Sequence, residues 1–487
     1  MTTPTTRQRA GAGLRSQALA LLVAGCFFME NLDSTIVTTA VPSIARDLGV
    51  DAASVGVAIT AYVMTVAILI PVSGWLADRF GSRTILVTAI ALFTLASVAC
   101  AASPTLSVLV LARIVQGIGG AMMVPVGRMT VLRATSKENL IRAVAVLTWP
   151  ALVAPILAPF VGGLLTTYAS WHWIFLVNVP LGAIGLVAAL RIVPGRTVAH
   201  PDGTADSVVP EPTPPDWLGL ALTSVGIAAL VWATTLLTIT PVDVVQTIVS
   251  AVVGLVLVGL AIRHLLRTPR PFVDLRLLRI HTYKVSVGGG SIYRLVISAV
   301  PFVVPLLLQR AFGWTPVQAG AAVLFLFAGN LGIKPATTWM LRTFGFRRLI
   351  VAAHVVGVAC LVGMAFFRPS TPFAVMVIVL IVSGAARSTG FTAYNTITYA
   401  DVEQAQMTGA NVLDSTVQQI AIGSGIALGA VAISVGLSIV GAGDSPGSGM
   451  TAGYDIAFGV LAAILLVDLI PAWRLAPSAG SGLTARR

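Results

Sequence analysis

Charge is scarce in this chain. Only 10% of its 487 residues are charged, 18 acidic against 30 basic, so long stretches have no polar face to turn toward water and a water-soluble fold is excluded for most of the length. Cysteine is scarcer still. Cys26, Cys100 and Cys360 all fall within apolar runs, which points to buried filler and gives no sign of a disulfide framework or a spaced metal site. The five histidines include none near a carboxylate within an apolar run, so the chain offers no cluster on which a membrane-embedded enzyme would rest. No Gly-x-x-x-x-Gly-Lys-Ser/Thr phosphate loop occurs, and energy must come from a gradient or a partner. Nothing calls for a cofactor.

What the chain has in abundance is apolar residues, at 56% with a mean hydropathy of +0.93. A membrane-crossing helix takes about 20 of them, and fourteen such windows run from 19–41 to 454–473. The sequence predicts an all-α polytopic membrane protein. The first window follows Arg7, Arg9 and Arg15, as in a signal peptide, but it is too long for one and carries Glu30 and Asp33, so it reads as a retained span.

The net charge of +12 matters less than its distribution. With the N-terminus inside, the inner connections and tails hold most cations, the outer connections hold Arg46, Arg310 and Arg368, and Arg113, Arg128, Arg294, Lys334 and Arg387 lie within spans. This asymmetry predicts that both termini are cytoplasmic. Scattered topology signals of this kind, without a basic patch carrying aromatic platforms, argue against nucleic acid as a partner.

An eleven-residue turn, Gly74-Trp75-Leu76-Ala77-Asp78-Arg79-Phe80-Gly81-Ser82-Arg83-Thr84, joins two apolar windows, and Trp339, Phe344, Gly345 and Arg347 repeat it 264 positions later. A charged turn duplicated in a second half predicts two six-helix repeats. The expected organisation is a tail at 1–18, a six-helix bundle at 19–190, a linker region with two inserted helices at 191–284, a second bundle at 285–473 and a tail at 474–487. At the same offset Glu30 falls opposite Arg294.

Ionisable groups within a span cost roughly 2.5–3.5 kcal/mol each on insertion scales and are functional candidates by default. Asp33 and Arg113 lie at similar depth, either as an ion pair that fastens the bundle or as a switch that responds to protonation of the acid. Glu30, one turn deeper on the same face, suits a proton carrier. Arg294, Lys334 and Arg387 in the second half suggest either a cavity for an anionic group or structural pairing with Asp414 and Asp468, with Lys334 snorkelling. A cavity shared by Glu30 and these three cations is the candidate substrate site. Arg128 reads as a snorkelling residue near the inner face, and Trp171, Trp173 and Phe175 as an interfacial belt.

Four motifs carry a resemblance. They are the turn at 74–84; Leu32-Asp33-Ser34-Thr35-Ile36-Val37 in span one; Arg113-Ile114-Val115-Gln116-Gly117-Ile118-Gly119-Gly120 in span four; and Trp171-His172-Trp173-Ile174-Phe175-Leu176-Val177-Asn178-Val179-Pro180-Leu181-Gly182 before span six. In this order the chain resembles the major facilitator superfamily, and within it the fourteen-span drug:proton antiporters. The stretch 119–131 is most similar to the MdtD-type subgroup.

The resemblance implies a proton-coupled transporter of the cytoplasmic (inner) membrane that exports small molecules by alternating access. Its partners would be substrate, protons and the bilayer, and it would function as a monomer. It assigns Gly74, Asp78, Arg79, Gly81 and Arg83 to a conformational gate, and Pro159, Gly162 and Gly163 to helix packing in span five. The chain departs from the pattern at Ala145, Ala154 and Ala158, where glycines are usual, at Ser82, and at Arg342, which stands where the first turn has Asp78. Export of organic anions or metal-carboxylate chelates, and a non-transporting sensor or scaffold, are the rival readings.

Overall fold

A computed structural model describes residues 6–135, 139–193, 216–236, 243–269, 271–441 and 448–484. Among them every regular element is helical, as expected where a bilayer leaves no water to satisfy backbone groups. The first half holds α1 (Thr6–Leu48), α2 (Ala52–Leu69), α3 (Ser73–Phe80), α4 (Ser82–Ala101), α5 (Leu106–Ala134), α6 (Leu140–Tyr168), the single turn α7 (Trp173–Leu176) and α8 (Asn178–Ile192). Two helices follow, α9 (Trp217–Leu236) and α10 (Val244–Arg267). The second half holds α11 (His281–Leu306), α12 (Pro316–Gly332), α13 (Lys334–Phe344), α14 (Phe346–Ala365), α15 (Phe373–Ile397), α16 (Met407–Val440), α17 (Ser448–Trp473) and the short α18 (Ser481–Thr484).

Eleven helices are long and apolar enough to cross a membrane, and two bent pairs bring the number to thirteen. The fourteen spans expected are therefore not all met by this measure, because the apolar stretch of α9, Trp217–Ala233, is shorter than the rest. The two bent pairs are the halves of α6, at 45°, and α12 with α13, at 47°.

The repeat read in the turn extends to the packing. Shifting α4 by 264 residues lands on α14. The first-half pairs α1 with α6, α2 with α5, α4 with α5 and α4 with α8 recur as α11 with α16, α12 with α15, α14 with α15 and α14 with α17. The turns match in detail. Gly81 and Gly345 take φ of +88° and +77°, a region that glycine enters without a Cβ penalty. Trp75 meets Phe80 edge-on at 6.2 Å, and Trp339 meets Phe344 in the same way at 5.7 Å.

Between the halves runs a seam. On one side α16 lies against α2, α3 and α5, and on the other α6 lies against α12, α13 and α15. The inserted α9 covers the first side by touching both α2 and α16. There the Ser224 hydroxyl donates to the Ile68 carbonyl at 2.6 Å, and Trp217 and Phe272 gather around Trp75.

Within the second half α12 and α15 approach through two glycines. A Cβ added at Gly384 would collide with the Leu326 carbonyl, and one at Gly329 with the Ile381 carbonyl, so small residues allow backbones to touch. Gly384→Ala should destabilise the detergent-solubilised protein by about 1–3 kcal/mol, the usual range for overpacking. Gly320→Ala, where an added Cβ meets nothing within 4 Å, should leave the melting temperature in place. Equal melting of the two variants would show that the approach is not tight.

Candidate functional site

Among the described residues, polar side chains gather at several places along the helices, and three of these clusters come first. The first lies within the first half, where the Asp33 carboxylate of α1 is fully buried. Arg113 of α5 donates to its Oδ2 at 2.5 Å, while Gln116 and Asn178 each donate to its Oδ1 at 2.8 Å. Gln116 also donates to the Ser97 hydroxyl at 2.8 Å. The Arg113 guanidinium carbon lies 4.1 Å from the Tyr62 ring centroid, a cation–π contact. Asp33 and Arg113 are thus paired, as their matched depths predict. Gln116, Asn178 and Ser97 went unrecognised, although Gln116 lies one turn beyond Arg113.

Glu30, one turn before Asp33, is half-buried. Among the described residues no hydrogen bond or ion pair occupies it. In particular it does not meet Arg294, contrary to the suggestion of the repeat offset.

The second cluster crosses the seam. Asp414 of α16 is buried between Arg128 of the first half, 3.0 Å away, and Arg294 of the second, 3.5 Å away. Tyr399 donates to its carboxylate at 3.0 Å and Gln418 at 2.7 Å. The Asn395 Oδ1 accepts from Arg128 and Arg294, both at 3.1 Å, and from Gln418 at 3.2 Å. Asn411 reaches back across the seam to donate to the Pro125 carbonyl at 2.9 Å. Arg128 therefore does not snorkel. Its side chain turns inward because Asp414 and Asn395 satisfy it there.

The third cluster closes one end of the seam. The Cβ absent from Gly74 would lie 2.5 Å from Val412 Cγ2 and 3.0 Å from Thr408 Cγ2, so α3 and α16 are in contact. Asp78 pairs with Arg133 at 3.0 Å, Arg133 also bonds Thr408, and Gln404 donates to the Arg133 carbonyl at 3.1 Å. Both members of the ion pair are about a third exposed, so the pair stabilises only modestly. Arg83 donates to the Leu190 carbonyl at 2.5 Å, fastening α4 to α8. Arg79 lies 5.9 Å from Trp75 and 5.8 Å from Phe80.

Lys334 and Arg387 stand apart from these clusters. Lys334 donates to Thr392 at 2.6 Å and, across the seam, to Thr148 at 3.1 Å. It is buried rather than extended toward the membrane surface. Arg387 is half-buried, with its guanidinium 5.9 Å from the Phe327 ring. Glu30, Arg294, Lys334 and Arg387 thus share no direct contact, and Arg294 belongs to the seam cluster.

Other expectations need correction. His354 and Asp468, both within spans and both buried, lie 3.0 Å apart, although the sequence reading placed no histidine near an in-span carboxylate. The His354 Nδ1 lies 2.9 Å from the Ile350 carbonyl oxygen and its Nε2 3.0 Å from the Asp468 Oδ2, so the ring spans α14 and α17. Trp171 and Phe175 are buried, and only Trp173 is exposed as a belt residue would be. Gly162 lies where a Cβ would strike Thr39 and Ile36 of α1, whereas one at Gly163 meets nothing within 4 Å. The side chain of Pro159 lies outside the described residues.

Comparison with known proteins agrees with this architecture. A family model described as Major Facilitator Superfamily matches residues 23–426. A protein of Citrobacter koseri named "Putative multidrug resistance protein MdtD" is 37% identical over 84% of this chain and 84% of its own length. One of the same name from Escherichia coli O7:K1 is 38% identical over the same shares. Among solved structures, the human organic anion transporter MFSD10 aligns with a TM-score of 0.63 at 13% identity, covering 94% of this chain and 99% of that one. The proton:xylose symporter XylE aligns at 0.65 and 14%, covering 96% and 97%.

The Arg128–Asp414 contact yields a stability prediction. Arg128→Gln and Asp414→Asn should each lower the melting temperature sharply, since removal of one partner of a buried pair costs about 3–5 kcal/mol. The double variant should be less destabilised than the two losses combined. Simple additivity in a double-mutant cycle would show that the two residues are not coupled.

Proposed function

Because the chain belongs to the major facilitator superfamily, we propose that it is a proton-coupled secondary transporter exporting small organic molecules across the cytoplasmic membrane by alternating access. The observation that carries this reading is the position of the polar bridges across the seam. Arg133 to Thr408, Arg128 to Asp414, Asn411 to Pro125 and Lys334 to Thr148 all fall in the part of the molecule nearer the Gly81 and Gly345 turns. With those turns on the cytoplasmic side, the two halves are fastened together at their inward ends. The name borne by the 37% identical relatives supports a drug-like cargo.

Two features suit an exchange of states. Asp414 is shared by an arginine from each half, so when the halves part it keeps Arg294 and is never left alone in a low dielectric. Asp33 is neutralised within its own half, which lets that half rotate as a unit with its charge balanced. The proton route then falls to Glu30, whose carboxylate no cation holds. Asp33 sets its field from one turn away, and protonation at Glu30 replaces a missing counter-ion.

The gate can be tested by cross-linking. An added Cβ at Gly74 would lie 3.8 Å from the Val412 Cβ, the usual spacing in a disulfide. In a protein with Cys26, Cys100 and Cys360 replaced by alanine, the pair Gly74→Cys and Val412→Cys should cross-link under mild oxidation and stop transport, and reductant should restore it. Full transport by the cross-linked protein would rule out opening at this end.

Coupling can be tested in proteoliposomes under an imposed pH gradient. Glu30→Gln should reduce gradient-driven transport by about 10²-fold or more, the lower end for one lost proton-transfer group, while energy-independent substrate exchange persists. Undiminished gradient-driven transport would move the coupling site elsewhere.

A further inference from the structure

Lys334 bridges the seam but takes no part in the Gly74 contact or in the proton route proposed for Glu30. An ammonium has three N–H donors. Two of them go to the hydroxyls of Thr148 and Thr392, and no carboxylate pairs with it among the described residues. A buried amine in this setting has no counter-ion for its charged form, which an anionic group would therefore favour. It also stands at the break of a bent span, as the first residue of α13, where the half-helix dipole adds further positive character.

The side chain lines a lateral groove. This cavity of about 890 Å³ is lined by α1, α6, α8, the start of α13 and Ile90 of α4, mainly in the half of the molecule nearer the turns. Its volume lies within the ~300–1,000 Å³ of small-molecule pockets. Leu21, Phe28, Trp149 and Ile184 form its apolar wall, and its charged members are Arg142 and Lys334. Among the described residues no acidic one lines it. Arg142 is exposed at the mouth, six residues before Thr148 on α6, so it sits about 9 Å nearer the membrane surface than the Lys334 ammonium.

We propose that this groove is a binding site for an anionic amphiphile of the cytoplasmic leaflet, namely a carboxylate on a long apolar chain. Arg142 meets the carboxylate at headgroup level, and the third donor of Lys334 takes it at the seam. The chain of the ligand occupies the apolar wall. The position matters because Lys334 joins Thr148 of one half to Thr392 of the other, so a ligand reaching it arrives at the surface along which the halves part. The inference deepens the proposed export reading by naming a cargo class and a lateral route from the membrane.

The test uses full-length protein in zwitterionic nanodiscs at pH 8, with 9,10-dibromostearate, the corresponding dibrominated amine and the corresponding alcohol as quenchers. The difference in tryptophan emission between wild type and Trp149→Phe isolates Trp149, which is half-exposed in the groove. Dibromostearate should half-quench that signal at about a fivefold lower mole fraction than the amine or alcohol, the upper end for one charged contact at a partly exposed site. Lys334→Gln should erase the preference and Arg142→Gln should reduce it, whereas Lys334→Arg should keep it. Equal quenching by the three probes in wild type overturns the proposal, as does a preference that survives Lys334→Gln. Should Lys334→Gln fail to fold, the comparison of three probes on wild type and Lys334→Arg decides alone. The readout needs no turnover. Equal quenching would thus remove the groove and leave proton coupling untouched, while uncoupled transport in Glu30→Gln would not bear on the groove.

Discussion

The interior of this protein is governed by the cost of placing charge where water cannot reach it. Each ionisable side chain within a span needs a partner, and the identity of that partner determines what the residue can do. Asp33 is held by donors from α5 and α8, all within one half, and it stabilises that half whatever the seam does. Asp414 is held by donors from both halves, so its environment is tied to their separation. Two aspartates of equal burial thereby acquire different roles from the address of their arginines.

The 264-residue repeat supplies the frame on which these charges are set, but it does not duplicate them. Backbone features recur at equivalent places: the positive φ of Gly81 and Gly345, the edge-on Trp–Phe pairs and the matched helix contacts. Charges do not. Ile297 stands where the first half has Asp33, and Arg342 where it has Asp78. The first half accordingly concentrates its in-span acids on α1, while the second offers Arg294, Lys334 and Arg387. A symmetrical scaffold thus carries an asymmetrical charge, in which the Asp33–Arg113 pair closes within one half and Asp414 is shared by both.

Much of this was legible in the sequence, and the gaps have physical causes. Hydropathy and the repeated turn gave the helical class and the two halves, because bilayer thickness fixes span length and the turn needs glycine at one position. Depth counting paired Asp33 with Arg113, since both distances were measured along straight helices. It misjudged Arg128, because distance from a helix end says nothing about rotation around the axis, and rotation places this side chain in the seam. The Asp414 cluster draws on α5, α11, α15, α16 and the segment that follows α15, and no sequence period connects such distant contributors. His354 and Asp468 are separated by 114 positions and were missed for the same reason. The span count was blurred where α12 breaks into α13 at Lys334.

The seam cluster also sets a limit on how opening can occur. Three charges meet there, two cations and one anion, and if the halves part, Asp414 stays with Arg294 while Arg128 leaves. An arginine deprived of a buried partner costs about 3–5 kcal/mol, which would slow exchange severely if Arg128 stayed dry. Arg128 lies six residues before the end of α5 at Ala134, about 9 Å from that end, so water can follow it as soon as the Gly74 contact opens. The exposed Asp78–Arg133 pair, weak on its own, stands at the mouth of that path. The outer pair therefore governs access of water to the inner one, and the strong interaction can break only after the weak one has.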